Sequence, residues 1–336
     1  MRICVYGLGA IGGLVAARLA RSGVPVSAVA RGATLEAVRA RGGLVLAEGP
    51  DGERSAPIPV TVAADPARLG VQGVVVIALK ATALPAAAPS IARLAGPDTV
   101  LLPAMNGIPW WFFHGLGHDV RLESTDPGGA VSAALPAGRV VGGVVHLSAS
   151  CPEPGVVRHP AGEGIILGEP RGGGSDRVEA VAGPLRGAGF EVRISDRIQR
   201  DVWYKLWGNM TMNPLSALTG ATLDRILDDP LVRGVASACM REAAEVGARI
   251  GLPVDADPEE RHAVTRGLGA VRTSMLQDVD AGRPTELDAL VTAVAELARR
   301  VGVPTPHIDG LLGLARLSAQ VRGLYPETGF PALEPR

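Results

Sequence analysis

The chain has 336 residues, a length that favours two domains over one and allows an ample core. It is 47% hydrophobic with a mean hydropathy of +0.23, so disorder is excluded as a general description. The formal net charge is −1 and no block of like charges occurs, which removes the electrostatic basis for nucleic-acid binding. Apolar runs such as residues 73–79 have strand length and are far too short to span a membrane.

The cysteines and histidines are scattered along the chain. Cys4, Cys151 and Cys239 suggest no disulfide framework, and they suit a reducing cytoplasm. His114 and His118 stand four residues apart, but two glycines between them make a helix there unfavourable, so no metal site is expected. The N-terminal twenty residues are not expected to act as a signal peptide, because glycines occupy the part that would have to be apolar.

A glycine signature follows the first predicted strand, residues 2–6. The pattern GxGxxG, with a strand before it and a helix-like run after it, predicts dinucleotide binding. Gly7 would make the tight turn, Gly9 would let the backbone approach a pyrophosphate, and Gly12 would let the helix pack close to the sheet. The predicted cofactor-binding residues of this loop are Gly7, Leu8, Gly9, Ala10, Ile11 and Gly12.

Arg31 follows the second predicted strand, residues 25–30. A site that prefers NAD usually carries an acidic residue at this place, whereas an arginine favours the 2′-phosphate of NADP. No aspartate or glutamate occurs between Met1 and Thr34. Arg31 as an ordinary surface residue is the alternative, but the missing carboxylate also favours NADP(H).

Short strand-like runs alternate with helix-like runs up to about residue 196. The strand candidates are 2–6, 25–30, 43–47, 58–62, 73–79, 99–103, 139–149, 155–159, 163–168 and 190–195. The helical candidates include 11–21, 33–41, 84–94 and 175–188. This alternation favours an α/β fold with a doubly wound parallel sheet, and the strand-rich stretch 139–168 predicts an antiparallel extension of it.

Strand character vanishes after residue 196. Helical periodicity is found in the runs 198–218, 222–227, 229–251, 257–281, 285–302 and 306–321. The sequence therefore predicts a nucleotide-binding domain over 1–196 and an all-α domain over 197–336.

Lys205, Asn209 and Asn213 are spaced four residues apart in the first of these helical runs. Residues at this spacing share one helix face, so one ammonium and two carboxamides would form a row. Such a row can bind a small oxygen-rich molecule, and the lysine can donate a proton. A solvated polar stripe is the alternative that the spacing alone leaves open.

Several further polar residues are candidates for the same site. Lys80 ends the strand 73–79, and Asn106 follows the strand 99–103, so both are expected over the cofactor at the carboxyl ends of the sheet. Ser274 and Glu286 come much later in the chain. For Glu286 the alternative is ordinary first-turn electrostatics of a helix that starts after Pro284.

Together these residues resemble the ketopantoate reductase (2-dehydropantoate 2-reductase) family over essentially the whole chain. The matching segments are Gly7-x-Gly9-x-x-Gly12, Lys80, Asn106-Gly107, Lys205-x-x-x-Asn209-x-x-x-Asn213-Pro214, Ser274-Met-Leu-Gln-Asp278 and Pro284-Thr-Glu286. The resemblance implies a Rossmann-type N-terminal domain, an all-α C-terminal domain, and NADPH-dependent reduction of a 2-oxoacid.

The resemblance also implies roles for individual residues. Lys205 would be the proton donor and Glu286 its catalytic partner. The substrate would be bound by Asn106, Lys205, Asn209, Asn213 and Ser274. The cofactor would be bound by the glycine loop, Arg31, Lys80, Asn106 and Glu286. The substrate would then lie in a cleft between the domains, and a homodimer through the helical domain is a further expectation.

The chain departs from the family pattern in places that affect the choice of substrate. The segment Trp110-Trp111-Phe112-Phe113 is unusually aromatic, and it could be the edge of a packed core or an apolar wall near a ligand. Leu223 stands where a further polar contact with the substrate is expected. Reduction of another 2-oxoacid is the nearer alternative, and a non-catalytic NADPH-binding sensor is the more distant one.

Overall fold

The structure is a computed structural model that describes residues 1–49, 51–118 and 120–328. The chain forms two compact units. The first consists of Met1–Met105, Trp111–Asp119 and Ala130–Asp201. The second consists of Asn106–Trp110, Val120–Gly129 and Val202–Arg336. Asn106, expected in the first domain, thus belongs to the second unit, and the boundary predicted at 196/197 falls immediately before the long helix that starts at Ile198.

The first unit alternates strands and helices. Its elements are β1 (Ile3–Tyr6), α1 (Ala10–Arg21), β2 (Val26–Val29), α2 (Gly32–Arg41), β3 (Val45–Glu48), β4 (Glu53–Arg54), β5 (Thr61–Ala63), β6 (Gln72–Ile77), α3 (Leu84–Ala92), β7 (Ala95–Pro103), α4 (Ala130–Ala134), β8 (Gly142–Glu153), β9 (Val156–Gly168), α5 (Asp176–Gly187) and β10 (Glu191–Ile194).

One five-stranded sheet has the order β5-β2-β1-β6-β7, and all its neighbouring strands are parallel. Its central strands β1 and β6 are apolar and buried, as expected where helices cover both faces of a sheet. The strand order reverses on either side of β1, which is the doubly wound arrangement. The predicted α/β fold class is confirmed.

The predicted antiparallel extension is the pairing of β8 with β9. These two strands belong to a second five-stranded sheet with β3, β4 and β10, and a single bridge between Leu101 and Val140 links β7 to the segment before β8. The separate strands predicted at 155–159 and 163–168 are one strand, β9. Gly162 (φ 84°) lies where the register shifts, and a Cβ there would be 2.5 Å from the carbonyl oxygen of His146.

The second unit is helical in its described residues, as predicted. Its elements are α6 (Ile198–Thr219, whose first turn lies in the first unit), α7 (Leu223–Asp228), α8 (Pro230–Arg249), α9 (Pro258–Arg266), α10 (Ser274–Asp280), a π-helix (Asp288–Thr292), α11 (Ala293–Arg300) and α12 (Pro306–Val321). No helix in the described ranges is both long and apolar enough to cross a membrane.

Two of the predicted helical runs are wrong in detail. The run 257–281 is interrupted between α9 and α10, where Gly269 has a φ of 74° and Thr273 caps α10 by accepting from the N–H of Leu276. The run 285–302 starts later than predicted, because residues 283–286 are not helical and the first turns are of the π type. Both differences lie beside predicted site residues, Ser274 and Glu286.

Candidate active site

The glycine loop has the geometry of a dinucleotide cradle. Gly7 adopts a φ of 101°, and its N–H donates to the carbonyl of Val29 at 3.0 Å. A Cβ at Gly12 would lie 1.9 Å from the carbonyl oxygen of Gly7, so only glycine lets α1 start this close to β1. Gly9, by contrast, is exposed at the N-cap of α1, and a Cβ there would meet nothing within 4 Å.

This loop fits the phosphates of a bound dinucleotide. The first turn of α1 carries no acidic residue, and the N–H groups of a helix start attract anions. Leu8 is buried under the loop, whereas Ala10 and Ile11 are partly exposed. The pyrophosphate would therefore approach the backbone at Gly9.

Arg31 and Lys80 lie at the same edge of the sheet as the glycine loop. Arg31 follows β2 and is the N-cap of α2, and Lys80 follows β6, next to a short 3-10 turn. Both side chains are exposed. The Arg31 guanidinium donates to the hydroxyl of Tyr6 at 3.4 Å, and that hydroxyl donates to Ser90 at 2.9 Å. Tyr6 thus provides a polar contact for Arg31 at the end of β1.

The lysine and the two asparagines lie in the middle of α6. Lys205 and Asn209 are half-buried, and Asn213 is buried. The Lys205 Nζ donates a hydrogen bond to Oδ1 of Asn106 at 2.8 Å. The row is therefore not a solvated stripe, because its lysine is bonded to a side chain 99 residues away in the sequence.

The environment of Lys205 changes its proton affinity. Desolvation by burial lowers the pKa of Lys205 from 10.5 to about 8, and the negative charge of Glu286 opposes this decrease. Glu286 itself is buried. Near neutral pH the ammonium is thus the major form but gives up its proton far more readily than an exposed lysine, as a general acid must.

Ser274 lies on a different helix from Lys205. It is exposed as the first residue of α10, directly after the cap Thr273. The structure shows Asn106 bonded to Lys205 and Glu286 acting on it through its charge, while Ser274 is exposed at the start of α10. Its predicted substrate contact stays a prediction, as do those of Asn209 and Asn213.

The aromatic segment lies in the protein interior. All four residues from Trp110 to Phe113 are buried, and Phe112 and Phe113 pack edge to face at 5.2 Å. A Cβ at Gly142 would lie 2.6 Å from the Trp111 indole. These contacts support the interpretation as packed core. Within the described ranges, no three His, Cys, Asp or Glu side chains are grouped so that they could hold a metal ion.

The comparisons with known proteins agree with this geometry. Residues 3–172 match the family described as ketopantoate reductase PanE/ApbA, and residues 197–319 match the family described as ketopantoate reductase PanE/ApbA C terminal. The chain belongs to the ketopantoate reductase family. The predicted resemblance is thereby confirmed.

Individual relatives are similar over almost their whole length. A 2-dehydropantoate 2-reductase from Mesorhizobium japonicum is 45% identical over 97% of this chain and 100% of its own. The crystal structure of a protein from Ralstonia solanacearum MolK2, described as a ketopantoate reductase, has a TM-score of 0.92 at 52% identity. The match covers 96% of this chain and 99% of that protein's chain. The 2-dehydropantoate 2-reductase of Geobacter metallireducens has a TM-score of 0.83 at 27% identity, with 95% and 100% covered.

The rarity of lysine in this chain is a further signal for its site residues. Lysine and arginine together number 33, and only Lys80 and Lys205 are lysines. Arginine stays charged at every pH that a protein tolerates, whereas lysine can release its proton when buried. A chain that uses arginine almost everywhere thus has lysine at two predicted site positions. Nothing in the sequence predicts the π-helix or its close contact with Gly107.

The glycine geometry predicts different outcomes for two alanine variants. Gly12→Ala should lower the free energy of unfolding by about 1–3 kcal/mol, because its Cβ meets the backbone of Gly7. Gly9→Ala should leave the melting temperature unchanged but weaken dinucleotide binding, because its Cβ points into open space where the phosphates would approach. Thermal melts and titration calorimetry measure both. Equal melting temperatures for the two variants would contradict this geometry.

The pKa of Lys205 predicts the alkaline side of the pH profile. If Lys205 donates the proton, kcat/KM should fall as the pH rises through about 8, because the ammonium is then lost. Glu286→Gln removes the charge that raises this pKa, so the decline should begin at a lower pH. Glu260→Gln, an exposed glutamate on α9, is the matched control. A decline that stays in place in Glu286→Gln would remove Glu286 from this role.

Proposed function

We propose that this protein catalyses the NADPH-dependent reduction of 2-dehydropantoate (ketopantoate) to pantoate, a step of pantothenate and coenzyme A biosynthesis. Membership of the ketopantoate reductase family and the 45% identical 2-dehydropantoate 2-reductase support the proposal. The observation that carries it is the desolvated Lys205, bonded to Asn106 and under the influence of Glu286. A non-catalytic sensor has no need of an acid with this proton affinity.

The residues around Lys205 supply the proton chemistry. NADPH, when bound, supplies a hydride for the C2 carbonyl carbon of the substrate. Lys205 donates a proton from Nζ to the carbonyl oxygen as negative charge develops there, and Asn106 fixes the direction of the Nζ. The neutral amine then regains a proton from water, and the charge of Glu286 favours this step.

The other polar residues give the substrate preference. The amides of Asn209 and Asn213 and the hydroxyl of Ser274 suit a carboxylate with a hydroxyl group close to it. Ketopantoate carries both groups, whereas 2-oxoisovalerate lacks the hydroxymethyl group. A buried amide left without a partner costs about 1–3 kcal/mol.

We therefore expect kcat/KM to be at least about tenfold higher for ketopantoate than for 2-oxoisovalerate. Initial rates of NADPH oxidation with both acids measure this ratio. Lys205→Ala is the control for a reaction at this site and should lower kcat by about two orders of magnitude or more.

Other results would favour the alternatives. Faster reduction of 2-oxoisovalerate or of an aromatic 2-oxoacid, still abolished by Lys205→Ala, would assign the enzyme to another 2-oxoacid. Binding of NADPH with no oxidation by any member of a 2-oxoacid panel would favour the sensor.

NADPH is the proposed cofactor, rather than NADH, because of Arg31. The N-terminus of α2 and the Arg31 guanidinium attract a 2′-phosphate, and no carboxylate up to Thr34 is present to bind a ribose hydroxyl instead. A homodimer through the helical unit and a cytoplasmic location stay predictions.

Arg31→Ala should lower kcat/KM with NADPH by about tenfold or more and change it little with NADH, because only the former carries the 2′-phosphate. Steady-state assays with both cofactors measure the preference. Arg39→Ala, an exposed arginine at the other end of α2, is the matched control. An unchanged preference in Arg31→Ala would refute the assignment of NADPH binding to this residue.

A further inference from the structure

The chain between α10 and α11 contains a turn of π-helix, Asp288–Thr292, which we call the π-turn. It follows Glu286 almost directly, and α11 continues from it at Ala293. π-Helices are rare, and single turns of this kind often lie at functional sites. Where the backbone hydrogen bonds change from the i→i+5 pattern of a π-helix to the i→i+4 pattern of an α-helix, one carbonyl has no partner in the helix. That carbonyl can accept a hydrogen bond from another part of the chain.

The carbonyl of Ala289 in the π-turn makes such a bond. It accepts from the N–H of Ile108 at 2.9 Å. Gly107 has a φ of 86°, and a Cβ there would lie 2.4 Å from the same carbonyl oxygen. The backbone just after Asn106 is therefore pressed onto the π-turn, in contact that only glycine permits. This contact orients Asn106, whose Oδ1 accepts from Lys205.

The C-terminal segment holds the π-turn from another direction. The buried Tyr325 donates its hydroxyl hydrogen to Oδ1 of Asp288 at 2.6 Å. The carbonyl of Leu324 accepts from the N–H of Thr285 at 3.1 Å. Thr285 and Asp288 flank Glu286 in the sequence. Burial raises the pKa of Asp288, and burial together with the bond to Asp288 raises the pKa of Tyr325.

The two groups that act on Lys205 are thus fixed to the same turn. Asn106 is attached to it through Ile108, and Glu286 is only two residues before its start. We propose that Tyr325 is a positioning residue for the proton donor: by anchoring Asp288, it keeps the π-turn in place, and through the π-turn it keeps Asn106 and Glu286 at Lys205. This inference rests on the proposed role of Lys205 as general acid.

Tyr325→Phe removes the hydroxyl and keeps the ring. We expect kcat to fall by roughly tenfold, since the variant displaces Asn106 and Glu286 from the proton donor while the glycine loop keeps its structure. Asp288→Asn keeps an oxygen that can accept from Tyr325 and should preserve most of the activity, whereas Asp288→Ala should resemble Tyr325→Phe. Tyr204→Phe is the matched control, because that tyrosine is partly exposed on α6.

The protonation of Lys205 can be measured without any reaction. Because the chain has two lysines, protein labelled with 13C at the lysine ε-carbon should give two resonances, and Lys80→Arg identifies that of Lys205. The titration midpoint of Lys205 should decrease in Tyr325→Phe by on the order of half a pH unit or more, because Glu286 is held less closely. Gly107→Ala should decrease it as well and provides a second variant if Tyr325→Phe folds poorly.

The results separate this inference from the proposed function. A lower melting temperature in Tyr325→Phe, with kcat and the Lys205 titration as in the unaltered protein, would make Tyr325 merely structural and overturn the inference. If the unaltered protein reduced no 2-oxoacid, the proposed function would fail, but the titration would still show whether Tyr325 controls the protonation of Lys205.

Discussion

The removal of the Lys205 ammonium from water is the constraint on which the site depends. A decrease of its pKa from 10.5 to about 8 means that the folded protein loses about 3 kcal/mol when it holds this cation. A hydrogen bond to a charged group contributes about 1.5–3 kcal/mol. The pKa of about 8 already includes the charge of Glu286, so the lysine is still mostly protonated near neutral pH, and its Nζ donates to the Asn106 carbonyl. With Glu286 or Asn106 displaced, the balance shifts towards the neutral amine, which cannot act as an acid.

A buried arginine of this chain shows by contrast what is specific to Lys205. Arg18 is also buried, yet it is paired with Glu48 and Glu163, and these carboxylates raise its pKa against the effect of burial. An arginine in the place of Lys205 would stay charged and could not transfer a proton. Arginine, which is the cation at nearly all other basic positions of this chain, is therefore unsuitable at position 205.

Local patterns in the sequence were sufficient for much of the fold. The alternation of apolar runs and helices predicted the parallel sheet, and the glycine spacing predicted the turn after β1, because each depends on residues close together in the chain. The interruption between α9 and α10 was missed because single glycines such as Gly267 and Gly269 are tolerated within helices and so do not by themselves predict a helix end. The joining of 155–159 and 163–168 into β9 was missed because Gly162 serves a bulge and not a turn.

The sequence singles out Asn106 and Glu286, which the structure brings to Lys205, but not the contacts that hold them there. The spacing of Lys205, Asn209 and Asn213 placed them on one helix face, and the family resemblance added Asn106 and Glu286. The π-turn depends on the N–H of Ile108 and the hydroxyl of Tyr325, which come from distant parts of the chain. No local pattern of residues 283–292 contains either partner, and a sequence period predicts an α-helix there.

Asn106 belongs to the same helical unit as the lysine to which it is bonded. Asn106 follows a strand of the first unit, yet its backbone bonds to Ala289 and its side chain bonds to Lys205. Glu286 and Tyr325 belong to the same unit. Every group identified as setting the proton affinity of Lys205 therefore lies within one compact body. Packing in that body can therefore change the proton affinity of Lys205 while the glycine loop, which belongs to the first unit, keeps its structure.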